Sequence, residues 1–222
     1  MANRNLKNDM LIAAAVAVLI LMFVPGGQFV LIPLRYLNTL VHEAGHALAA
    51  VVSGGGGIAI SVAPDGSGLT TSLGGMPLLI SPAGYIGATV VGALLLAAGR
   101  KAETARTALT ILGAGLAIIT LVWVRNLFGW LIGAPLAVLL LVATRSMKGD
   151  HLMFLARALG LVQCLESLRS VRDLVLLNAE GHRHNDAAIL AGYTGIPPMV
   201  WAVLWSAVSI AILFVTLRDE RR

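Results

Sequence analysis

His42, Glu43 and His46 stand together in "LVHEAGHALAA", Leu40 to Ala50. Four residues apart on a helix, the two imidazoles project from one face, a turn from each other, and can share one metal ion. Glu43, on the neighbouring face, can then reach a water on that metal. The chemistry this spacing offers is metal-assisted hydrolysis with Glu43 as general base. Given how few histidines and glutamates the chain has, the pattern arises by chance in about one such chain in 400. Its surroundings add weight, because the stretch lies in an apolar run. Each charged or strongly polar side chain at membrane depth costs about 2.5–3.5 kcal/mol, and a bound cation offsets that cost. The competing reading is histidines bonded to nearby carbonyls, with Glu43 paired to Arg35 or a distant arginine. The polar residues continue as a helical stripe through Arg35, Asn38 or Thr39, His42 and His46. Val30, Leu37, Val41, Leu48 and Val52 lie opposite, so one face reads as wet or metal-bound and the other as packed or lipid-facing.

The elements that must position these groups are membrane helices. The 222 residues are 58% hydrophobic and 12% charged, about half the charge of an ordinary soluble domain. Apolar runs at 10–24, 28–52, 77–98, 107–124, 127–144 and 198–217 approach the ~20 residues that cross a bilayer. The expected fold is therefore an all-α polytopic membrane protein with about six transmembrane helices, forming a single domain. The net charge of +5 does not imply nucleic acid. The basic residues sit at the ends of the apolar runs, at Arg4 and Lys7, Arg100 and Lys101, Arg145 and Lys148, and Arg218 to Arg222. There they meet anionic headgroups, which makes the lipid bilayer the partner and excludes a nucleic-acid role. The single cysteine, Cys164, permits no intrachain disulfide and reads as a small buried hydrophobe.

Two segments depart from this texture. Residues 54–75 alternate Ile58, Ile60 and Val62 with small residues, turn at Pro64-Asp65-Gly66 and resume at Leu69. That is a short β-hairpin, which must lie at the surface or line a protein cavity because an open sheet edge cannot face lipid. Residues 150–185 carry many charges over a leucine repeat at helical spacing, an amphipathic segment for the interface or for a sheltered place inside a bundle.

"HEAGHALAA", the glycine-rich hairpin and "SPAGYIGATVVGALLL" (Ser81 to Leu96) together resemble the site-2 protease family of intramembrane zinc metalloproteases, in its compact bacterial branch without a PDZ domain. The likeness is close over Leu40 to Leu96 and looser over Leu165 to Trp205. It implies a multi-pass zinc metalloendopeptidase of the cell (inner) membrane that cuts membrane-protein substrates in or near their transmembrane segments. It also implies Zn2+ held by His42, His46 and an aspartate from a later helix, with Glu43 activating water.

The aspartate does not transfer directly. The family's Asn-Pro-x-x-x-x-Asp-Gly turn has no counterpart, and Asp65-Gly66 falls in the hairpin, where the family has a surface loop. Asp9, Asp150 and Asp219 read as solvated, which leaves Asp173 and Asp186. Asp173 opens the apolar stretch Leu174 to Leu177 and is the preferred third ligand; its competing role is an ion pair with Arg169 or Arg172. Asp186 is the alternative, standing where an N-cap is expected ahead of "AAILAGY". His182 and His184 read as a polar loop. Two imidazoles and one carboxylate leave zinc a fourth position for water, whose proton Glu43 accepts and returns to the leaving amine. The substrate helix must unwind locally, and the hairpin edge can receive it or simply plug the cavity. Gly84, Gly87 and Gly92 would let their helix approach the histidine helix closely. Two other classes compete: a catalytically silent scaffold that keeps the protease fold, and a metal or proton transporter, for which the expected inverted repeats are missing.

Overall fold

The computed structural model describes residues 26–179 and 185–220, with Val16, Ile20, Leu21 and Val24 ahead of them. Most of the apolar run at 10–24, and His182 and His184, lie outside the described residues. Seven helices and one hairpin follow along the described chain: α1 (Gly27–Val52), β1 (Gly56–Val62), β2 (Gly68–Leu73), α2 (Pro77–Ala98), α3 (Ala102–Trp123), α4 (Leu127–Ser146), α5 (Gly149–Ala179), α6 (Asp186–Thr194) and α7 (Pro198–Glu220). Five of them, α2, α3, α4, α5 and α7, are long and apolar enough to cross a membrane. The chain is a polytopic, mostly helical membrane protein with one small antiparallel hairpin.

Local sequence explains where these elements begin and end. Pro77 occupies the first turn of α2, where its missing N–H costs nothing. Gly195 closes α6 in the left-handed region at φ 71°, a conformation glycine adopts without strain. The hairpin pairs Ile60 with Thr70 and Val62 with Gly68, with an irregularity between Gly56 and Ala59. Ile58, Ile60 and Val62 point into the bundle and are buried. Asp65 secures the turn by accepting hydrogen bonds from the Ser67 hydroxyl at 2.7 Å and amide at 2.9 Å. Those two donors hold its carboxyl below the usual carboxylate range.

The hairpin is tied to the helices at its turn and along β1. Tyr36 donates to the Pro64 carbonyl and Thr39 to the Gly66 carbonyl, each at 2.7 Å. On the outer edge of β1, Asn126 grips Val62 through both its carbonyl and its amide. The Arg125 amide donates to Ile60 O at 2.9 Å. One edge of the two-stranded sheet is thus covered by the α3–α4 connection. The opposite edge belongs to β2 and pairs with no other strand among the described residues.

Residues 149–179 do not lie along the surface. They form one 31-residue helix packed inside the bundle against α2, α3 and α7. Its polar side chains explain how that is tolerated. Gln163 donates to Asn38 at 2.8 Å, Asn38 to Ser170 at 3.3 Å, and Thr89 shares hydrogen bonds with Ser167 and Ser209. Lipid tails are as apolar as leucine, so such bonds and close packing, rather than water exclusion, hold membrane helices together. Cys164 is fully buried and free.

Candidate metal centre

His42 and His46 occupy consecutive turns of α1, as their spacing requires, and their Nε2 atoms lie 2.9 Å apart. His46 Nδ1 is 2.7 Å from the carbonyl oxygen of Ile80. A carbonyl can only accept, so Nδ1 carries the proton, and whenever the ring is neutral it is Nε2 that presents the lone pair. This is the outer hydrogen bond that orients a metal-binding imidazole.

The carboxylate facing them is that of Asp186. Its Oδ2 is 3.5 Å from His42 Nε2 and 3.4 Å from His46 Nε2, and the three groups form a cluster able to hold a cation. Ligand atoms about 2.0–2.1 Å from a tetrahedral zinc are roughly 3.3–3.4 Å from one another. The two edges to Asp186 match that figure. The edge between the histidines is a few tenths of an ångström shorter. Two nitrogen lone pairs and one carboxylate oxygen, converging within a protein otherwise short of charge, are a donor set that fits zinc.

Asp173, the preferred third ligand from sequence, is not in this cluster. It accepts from Arg172 Nη2 at 2.9 Å and Nε at 3.1 Å, with Arg169 Nε at 3.9 Å. Asp173 is thereby neutralised on α5, and the structure brings the alternative, Asp186, to the histidines instead. The physical reason is the identity of the α6 cap. Asn185, not Asp186, accepts from the Ala188 amide at 2.9 Å. Asp186 is left as the first helical residue with its carboxylate free to turn toward α1. Two adjacent residues able to cap, Asn185 and Asp186, were the signal in the sequence, since a helix uses only one.

The helix that follows the hairpin fits against the histidines through its glycines. A Cβ built on Gly84 would lie 2.5 Å from His42 Nε2 and 2.6 Å from His46 Nε2. One on Gly45 would lie 2.9 Å from the carbonyl carbon of Ala83 and collide with its oxygen. Backbone therefore meets backbone where α1 crosses α2. Gly92, by contrast, faces Cys164 and Gly160 of α5. Tyr85 stacks its edge against His42 with centroids 4.4 Å apart, and Trp205 backs Tyr85 at 5.7 Å. This aromatic wall closes one side. The Asp186 and His42 side chains keep 25% and 12% of their surface exposed, which leaves an approach for an ion or water.

Glu43, buried on the next face of α1, is not paired with Arg35. Its Oε2 accepts from the Thr70 hydroxyl of β2 at 2.6 Å. Sequence reading missed this partner, because Thr70 belongs to an unremarked alternation of small and polar residues in the hairpin.

A family model described as Peptidase M50B-like matches residues 11–216. The chain belongs to the Peptidase M50B-like family, within the site-2 proteases. Comparison with curated proteins and with solved structures finds no match. The family is one of membrane metallopeptidases, in keeping with a possible metal cluster inside an apolar bundle. In this M50B-like chain the groups that could hold a metal are His42, His46 and Asp186. The carboxylate on the adjoining face is Glu43.

Proposed function

We propose that this protein is a zinc metalloendopeptidase that hydrolyses peptide bonds in or near the transmembrane segments of membrane-protein substrates. The observation that carries the reading is the convergence of His42 Nε2, His46 Nε2 and Asp186 Oδ2 beside Glu43. Zinc bound there would supply the positive charge that activates water and polarises the peptide carbonyl. His46 is held as the lone-pair tautomer by Ile80, and Tyr85 and Trp205 limit solvent on the His42 side. Glu43 accepts the proton of the attacking water on its carboxylate and delivers it to the nitrogen of the leaving amine, so no proton is lost in the cycle. The scissile segment enters unwound, because helical peptide bonds are already hydrogen-bonded and shielded. The uncovered edge of β2 offers the backbone partners that an unwound segment has lost.

Glu43→Gln separates binding from chemistry. Gln keeps the size and the acceptor oxygen but cannot take a proton. The variant should retain zinc at the wild-type ratio while cleavage falls by on the order of 10²–10⁴-fold or more. Unimpaired cleavage by Glu43→Gln would place the chemistry elsewhere.

A further inference from the structure

The glutamate that the protease reading makes the general base does not stand free above the histidines. Strand β2 engages both of its oxygens. Thr70 donates to Oε2 at 2.6 Å, and the same hydroxyl lies 3.1 Å from the backbone carbonyl of Glu43. Two residues earlier, on the same face of the strand, is Gly68. A Cβ there would sit 2.6 Å from Glu43 Cγ and 2.8 Å from Cδ, and would overlap Oε1. The carboxylate therefore lies in a notch that one strand makes with a hydroxyl and a missing side chain. Period-two alternation is what puts positions 68 and 70 on one face.

The strand itself cannot drift. Its turn is bonded to α1 through Tyr36 and Thr39, and its partner β1 is held by Asn126 and Arg125. A donor fixed this firmly does more than satisfy a buried acid. It selects one rotamer of a side chain with three rotatable bonds, with Oε2 on Thr70 and Oε1 beside Gly68.

We propose that Thr70 is a positioning residue for Glu43: its hydroxyl, together with the space left by Gly68, holds the carboxylate in the orientation from which it accepts the proton of the attacking water. The proposal rests on the protease reading for its catalytic consequence but not for the contact itself. A base displaced by about 1 Å costs on the order of 10²-fold in rate. The hairpin would then serve the site twice, offering one edge to substrate and orienting the base with its inner face.

The test uses the full-length, detergent-purified protein as wild type, Thr70→Val and Thr70→Ser. Fluorescein-labelled casein, an unfolded chain that needs no unwinding, is the substrate probe. Thr70→Val should keep wild-type zinc content and KM while kcat falls roughly 10–100-fold, and Thr70→Ser should recover most of it. Wild-type kcat in Thr70→Val would overturn the proposal. So would loss of zinc alongside activity, which would make Thr70 a support of the metal site. A second measurement needs no turnover: thermal midpoints of the zinc-stripped protein for Thr70→Val, Glu43→Met and the pair. Thr70→Val should lower the midpoint by roughly 5 °C when Glu43 is present and by far less in the Glu43→Met background. Additive shifts would overturn the contact. If the wild type leaves casein intact, the protease reading fails for that probe, while the thermal cycle still decides on Thr70.

Discussion

Asn185 caps α6 and so frees the residue that follows it to face the histidines. By capping α6 through the Ala188 amide, it releases Asp186 from the competing local bond and fixes the first turn from which Asp186 projects. A lost cap costs about 1 kcal/mol, and loosening the support of a ligand commonly weakens metal binding 10–100-fold. Asn185→Ala should therefore still take up zinc at saturating metal but bind it about ten-fold more weakly in a competitive chelator titration, with Asn185→Ser close to wild type. Equal affinity in Asn185→Ala would detach the cap from the site. The histidine pair and Glu43 were legible in the sequence because their spacing is internal to one helix. The third group was narrowed to Asp173, with Asp186 as the alternative, because the choice depends on which of two neighbouring residues caps α6.

The crossing of α1 and α2 brings backbone against the histidines. Gly45 and Gly84 remove the two side chains that would hold those helices apart. The obstacle facing Gly45 is backbone, which cannot rotate away. Gly45→Ala should cost about 1–3 kcal/mol through overpacking, seen as a lower thermal midpoint of the metal-free protein. An unchanged midpoint would mean that the crossing is looser than its geometry. The helices themselves could be read from apolar runs, and the hairpin from the alternation around Pro64-Asp65-Gly66. What the pattern could not give was the course of α5. Its charges leave open an interface or a sheltered place inside the bundle; Gln163, Ser167 and Ser170 find partners on other helices or within its own turns, and it runs through the bundle. Pairing between distant positions such as 38 and 163 has no local signature.

At the scale of the molecule, an apolar bundle shelters a few polar groups, and several of them are matched to one another across helices. The hydroxyl node of Thr89, Ser167 and Ser209 ties α2, α5 and α7. Interhelical bonds of this kind average only about 0.6 kcal/mol in membranes, so Thr89→Val should leave zinc binding intact and lower the thermal midpoint by roughly 1–3 °C. A loss of zinc in that variant would make the node part of the site. Asp173 is likewise matched, to Arg172 and Arg169. The cluster of His42, His46 and Asp186 converges its lone pairs on a common point instead, and that contrast is the centre of the account. The most direct test is the zinc-to-protein ratio of the purified protein after exhaustive dialysis, compared across wild type, His46→Ala, Asp186→Ala and Asp173→Ala. Near one zinc per chain is expected in the wild type and Asp173→Ala, and close to none in His46→Ala and Asp186→Ala. Full zinc in Asp186→Ala, with loss in Asp173→Ala, would contradict it.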